Sequence, residues 1–169
     1  MRPSRQAQVG GDSRRINVRP LTSDSDGNER SMPLVRIDLS STRPPAMRRA
    51  IADGVHRALV DAIGIPAEDR FQIVTPHAPD ELIFDPNHLD VAREDIVYVQ
   101  ITLVTGRRRE LKLDLYRRIA ANLTEVGVRA GDVFVTLTEN ALDGWSAGDG
   151  QAQLVDLQSV AGTENQQAT

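Results

Sequence analysis

"GIPAEDRFQIV", residues 64–74, returns 63 positions later as "GVRAGDVFVTL", residues 127–137. Four residue types recur in register: Gly64 with Gly127, Ala67 with Ala130, Asp69 with Asp132, and Phe71 with Phe134. In the first copy the glycine stands where a helix would end, and an apolar run follows in each copy that reads as a strand. Working outward, each copy is preceded by a strand and a helix. "PLVRIDL", from Pro33, alternates apolar and polar residues over Leu34 to Leu39. "AMRRAIADGVHRALVDAIG" sets Met47, Ala50, Ile51, Val55, Ala58, Leu59, Ala62 and Ile63 on one helical face. In the second half "IVYVQITLV" (96–104), "RRRELKLDLYRRIAANLTEV" (107–126) and "DVFVTLTE" (132–139) repeat the order strand, helix, strand. Phe134, in the last of these, is expected in the core.

The unit is therefore β-α-β, used twice. A right-handed crossover makes the two strands of each unit parallel. Two units side by side give an α/β fold, a four-stranded sheet with both helices on one face. The other face stays bare, so geometry alone predicts a homo-oligomer. The connection between the units, "TPHAPDELIFDPNHLDVARED", reads as irregular with a short hairpin around Leu82 to Phe84.

Composition narrows the chemistry. A chain of 169 residues, 40% hydrophobic, suits one packed domain. A net charge of -4 with scattered basic residues leaves no footprint for nucleic acid. There is no cysteine, which excludes disulfides, thiol nucleophiles and thiolate metal sites. His77 and His88 stand eleven apart without neighbouring ligands, so a metal is not expected. No apolar run is long enough to cross a membrane. Residues 1–31 are rich in Gly, Ser, Asp and Arg and lack an apolar signal core; they read as a disordered extension. The domain is expected over 32–158, a disordered tail over 159–169, and a cytoplasmic location by default.

The boundary at Met32-Pro33 decides the function. Pro33 opens the first strand directly after a methionine, and methionine is readily removed before a small residue such as proline. A chain starting at Pro33 would carry a secondary amine with a reference pKa of about 7.7–8.0, well placed for acid–base work. A chain that keeps residues 1–31 would have only an amide there, as an ordinary strand-starting proline does.

A duplicated β-α-β unit that starts at such a proline resembles the tautomerase superfamily. The residues that carry the likeness are "MPLVRIDL", "GIPAEDRFQ", "GRRRELK" and "EN…GWSAG", spread over about Pro33 to Leu154. Within the superfamily the chain is most similar to the malonate semialdehyde decarboxylase branch and related tautomerases. The resemblance implies a homotrimer without metal or cofactor that acts on a small carboxylate substrate. It implies Pro33 as the catalytic group and Asp69 as the acidic residue beside it. Arg107 would bind the substrate carboxylate, Trp145 would line the apolar wall, and Arg43 would be the first repeat's arginine. Two positions depart from the decarboxylase pattern: Thr105 stands where that branch has a second arginine, and Ala147 where it has an aromatic residue.

The expected function is thus a cofactor-independent tautomerase working on 2- or 3-oxo or enol carboxylic acids. A decarboxylase or hydratase of the malonate semialdehyde type is the alternative. A non-catalytic trimer is the reading if residues 1–31 are retained. Asp69 also has a purely structural reading, because Asp132 occupies the same place in the other repeat and an Asp there can brace the turn.

Overall fold

The computed structural model describes residues 32–155. The extension 1–31 and the tail 159–169 fall outside that range. Four strands, β1 (Leu34–Ser40), β2 (Phe71–His77), β3 (Val97–Val104) and β4 (Val133–Asn140), form one sheet in the order β2-β1-β3-β4. Helices α1 (Pro45–Ile63) and α2 (Arg109–Glu125) cross over between the strands of each unit. β1 pairs parallel with β2 and β3 parallel with β4, as crossover connections require. The two units meet through an antiparallel pairing of β1 with β3, Leu34 opposite Thr102. The mixed sheet with two helices is the expected fold.

Alternation decides which face is the core. Val35, Ile37 and Leu39 of β1 and Val97, Val99, Ile101 and Leu103 of β3 are fully buried. They meet Ile51, Val55 and Leu59 of α1 and Leu115, Ile119 and Leu123 of α2 in one continuous cluster. The other sheet face is open: Leu34, Phe71 and Ile73 lie 38%, 53% and 43% exposed on it. Phe134, expected in the core, stands on this face instead and meets Tyr98 edge-on at 5.5 Å.

The repeat is more exact in space than in numbering. Ser41 N–H donates to the His77 carbonyl at 2.7 Å, and Thr105 N–H donates to the Asn140 carbonyl at 2.9 Å. These are one hydrogen bond made twice. Through strand and helix the equivalent residues are 64 apart, as Pro45 and Arg109 at the helix starts show. From Gly64 and Gly127 onward they are 63 apart, because the stretch from helix start to glycine is one residue shorter in the second half. Both glycines take the left-handed conformation, φ 67° and 87°, which glycine adopts without steric cost.

Two expectations are corrected. No strand forms at Leu82 to Phe84; the connection carries short 3-10 turns at Pro79–Glu81 and His88–Asp90. Proline and aspartate are dense there and favour turns over a ladder. The second helix starts at Arg109, so Arg107 and Arg108 belong to the loop before it.

Leu115 sits at the centre of the cluster with no exposure. Leu115→Ala should lower unfolding free energy by about 2–5 kcal/mol in urea titration, with an unchanged denaturant slope.

Candidate active site

The antiparallel seam gathers the functional side chains. Because β1 runs against β3, the start of β1 lies beside the end of β3. One residue beyond the paired register, Pro33 falls across from Leu103, and Leu103 pairs with Glu139. Pro33 is buried and follows the inward alternation of Val35 and Ile37. The parallel partner β2 starts at the same end, which brings the turn holding Asp69 alongside. Thr105 and Arg107 follow β3, and Trp145 follows β4 after the turn Leu142–Gly144. Five of the six sequence-derived site residues, Pro33, Asp69, Thr105, Arg107 and Trp145, thus share one end of the sheet.

Arg43 does not join them. It follows β1, at the far end of that strand, where its guanidinium is buried to 7% exposure. Its Nη2 donates to the Asp95 carbonyl at 2.9 Å and meets the Asp95 carboxylate at 2.7 Å. Arg43 is the structural counterpart of Arg107, and Val97 is the counterpart of Pro33. The duplicated fold therefore has two equivalent ends. One holds Arg43, neutralised by Asp95 from two residues before Val97. The other holds Arg107 beside Pro33.

Arg107 is in a different state. Its Nη1 donates to the Val104 carbonyl at 2.8 Å, which fixes the plane of the group. Its Nε and Nη2, the two nitrogens of one guanidinium edge, are buried and have no partner among the described residues. Burial pushes the Arg107 pKa down, and the Glu139 charge opposes that shift. No carboxylate of the described residues lies within 4.0 Å of it. An edge with two parallel N–H groups fits a carboxylate in bidentate fashion. The indole Nε1 of Trp145 is also buried without a partner among the described residues. Gly144, just before Trp145, packs closely on Asn140: a Cβ there would come within 3.2 Å of that side chain.

The two aspartates divide. Asp132 is buried, and its Oδ1 accepts from the Glu94 N–H at 2.7 Å, bracing the chain that enters β3. Asp69 makes the same backbone turn, its N–H donating to the Pro66 carbonyl at 3.0 Å. Its carboxyl, however, takes no hydrogen bond among the described residues. Burial, and then the charge of Glu68, push its pKa up.

One pair is not foreseen in the sequence. Lys112 Nζ meets Glu139 Oε2 at 2.6 Å, both side chains about a quarter exposed, at the same end as Arg107. The available signal is parity, which turns Glu139 inward with Val133, Val135 and Leu137. The residues at this end include no set of carboxylates and imidazoles that could hold a metal, and such a set is absent among all described residues. No helix among them is long and apolar enough to cross a membrane.

Comparison with known proteins shows the family and the fold. One family model described as "Tautomerase enzyme" matches residues 69–148, and another with the same description matches residues 33–92. The chain is 36% identical to the "Probable tautomerase YusQ" of Bacillus subtilis (strain 168) over 127 residues, 74% of this chain and 100% of that one. It is 33% identical to "Probable tautomerase YrdN" of the same organism, over 73% of this chain and 97% of that one. Among solved structures, an FG41 malonate semialdehyde decarboxylase inhibited by 3-bromopropiolate matches at 44% identity and TM-score 0.69. That match spans 73% of this chain and 95% of the other. A fused 4-OT symmetric trimer, 22% identical, shares the fold at TM-score 0.61, over 72% and 98% of the two chains.

The contrast between the arginines gives opposite expectations for stability. Asp95→Ala strands the Arg43 charge and should destabilise the fold by about 1–3 kcal/mol. Arg107→Met removes two buried N–H groups that lack partners, and should stabilise it by about 1 kcal/mol or more. Paired thermal and urea unfolding of the two variants checks both signs.

Proposed function

Because this chain belongs to the tautomerase superfamily, we propose that it is a cofactor-independent tautomerase that uses Pro33 as acid–base group on a small oxo or enol carboxylic acid. The observation that carries the reading is the open edge of Arg107 at the Pro33 end, set against the closed Arg43–Asp95 pair at the other. Asp95 stands to Arg43 as the substrate carboxylate would stand to Arg107. The first arginine has its Nη2 taken from within the chain, leaving Nε alone without a partner among the described residues; the second has both Nε and Nη2 free for an anion.

The chemistry requires Pro33 to be the first residue. Its amine is then a base near neutrality, because burial and the Arg107 charge both disfavour the ammonium and draw its pKa below the reference of about 7.7–8.0. Neutral amine takes the hydroxyl proton of the enol as the carbonyl forms, and a proton is delivered to the adjacent carbon. Arg107 holds the carboxylate, so that the carbon and oxygen exchanging the proton remain beside one nitrogen. Asp69 opposes the fall in the amine's pKa, and Trp145 supplies the apolar wall. The match of a family model starting at residue 33 supports such a start.

A second reading has a specific observation behind it, the 44% identity to a malonate semialdehyde decarboxylase. Decarboxylation of a 3-oxo acid wants a cationic proline and further positive charge, and Thr105 supplies none. The pH profile separates the two. A basic proline loses kcat/KM as pH falls through the amine's pKa; an acidic one loses it as pH rises. We further propose that the open sheet face, with Leu34, Phe71 and Ile73, is covered in a homotrimer.

Pro33→Ala should lower enol–keto turnover of an arylpyruvate, followed by ultraviolet absorbance, by about 100-fold or more. Turnover unchanged by Pro33→Ala contradicts the proposal. Thr105→Arg should raise decarboxylation of a 3-oxo acid at the expense of tautomerisation. If neither rate moves, Thr105 lies outside the site.

A further inference from the structure

The Lys112–Glu139 pair sits against the proposed carboxylate site without belonging to the proline chemistry. Glu139 projects to the helix side of the sheet, in the row that runs from Pro33 through Leu103. Its Oε2 is taken by Lys112 at 2.6 Å, while its Oε1 is buried with no partner among the described residues. A half-satisfied carboxylate thus stands near a guanidinium whose Nε and Nη2 are likewise without partners. In a partly desolvated pocket, opposite charges that come into contact gain several kcal/mol. The two groups nevertheless stay apart, beyond the 4.0 Å of an ion pair.

In the other half of the fold the acid beside the arginine comes from a different position, Asp95, two residues before β3, and nothing among the described residues draws it away. Arg48 stands there at the place of Lys112, and Pro76 at the place of Glu139. No lysine–glutamate pair can form. Asp95, whose only ion-pair partner among the described residues is Arg43, closes on that arginine at 2.7 Å. The arginine with an unrestrained acid beside it is filled; the arginine whose neighbouring acid is tethered is open.

We propose that Lys112 is a positioning residue that tethers Glu139 away from Arg107 and so keeps the guanidinium edge open for the substrate carboxylate. This rests on the reading of Arg107 as the carboxylate site. Lys112 is the chain's single lysine. Its flexible point charge suits a tether, since it leaves the fork geometry to Arg107.

The test uses the protein as isolated from its host, with propionate as the binding probe in calorimetry and an enol acid for kinetics. Lys112→Met should weaken propionate binding and raise KM by about tenfold, with kcat within about twofold. The double variant Lys112→Met with Glu139→Gln should bring both values back to those of the unchanged protein, because no carboxylate is left to close on Arg107. Glu139→Gln alone should not weaken propionate binding or raise KM. A Lys112→Met defect that the double variant fails to rescue overturns the tether, and so does Lys112→Met binding propionate normally. Arg107→Met serves as the separate check. If it leaves propionate binding intact, the carboxylate reading itself falls. If it abolishes binding while Lys112→Met does not, only the role of Lys112 falls.

Discussion

The antiparallel seam between β1 and β3 is the constraint on which the rest of this structure depends. Each β-α-β unit alone makes a parallel pair with its helix on one face, and places nothing of functional interest together. Joining the units head to tail puts the start of one first strand against the end of the other. Pro33 thereby comes beside the loop that carries Arg107, and Val97 beside the loop that carries Arg43. Burial of Val35, Ile37 and Leu39 against α1 and α2 pins the register, since a slip of one residue would turn these side chains to the open face. The site geometry is in this sense a by-product of core packing.

Duplication gives two equivalent ends, and the chemistry lies in how they differ. The same arginine appears at each, on the same turn, after the same backbone hydrogen bond. At one end a carboxylate of the chain itself fills it. At the other the nearby acid, Glu139, pairs with Lys112, and the arginine is left with two unpaired N–H groups in a buried place. Unsatisfied buried donors are destabilising, and a folded protein retains them where a ligand offsets the loss. A first residue with a free amine is possible at only one of the two ends, since Val97 lies in the middle of the chain.

Much of the architecture is legible in the sequence because the repeated residues are ones with backbone roles. Gly64 and Gly127 take positive φ, and the alternation of apolar residues assigns strands and helices alike. The connection around Leu82 to Phe84 is not legible, because a short apolar run looks the same in a hairpin as in a loop that packs two side chains. Phe134 misleads for a related reason: hydrophobicity says that an aromatic ring will be covered, and not on which face of a sheet. The fate of Arg43 cannot be read from sequence at all. Its neutralisation depends on Asp95, 52 residues away, and on a seam visible only in three dimensions. The Lys112–Glu139 pair is hidden in the same way, by a separation of 27 residues along the chain.

Every functional role assigned to Pro33 reduces to one covalent question, whether its nitrogen is an amine or an amide. Intact mass of the protein purified from its own host answers it directly. The account predicts a mass that corresponds to a chain beginning at Pro33, with Met32 and everything before it removed. A mass that includes residues 1–31 would contradict it, since the buried nitrogen would then be an amide without a proton to give or take.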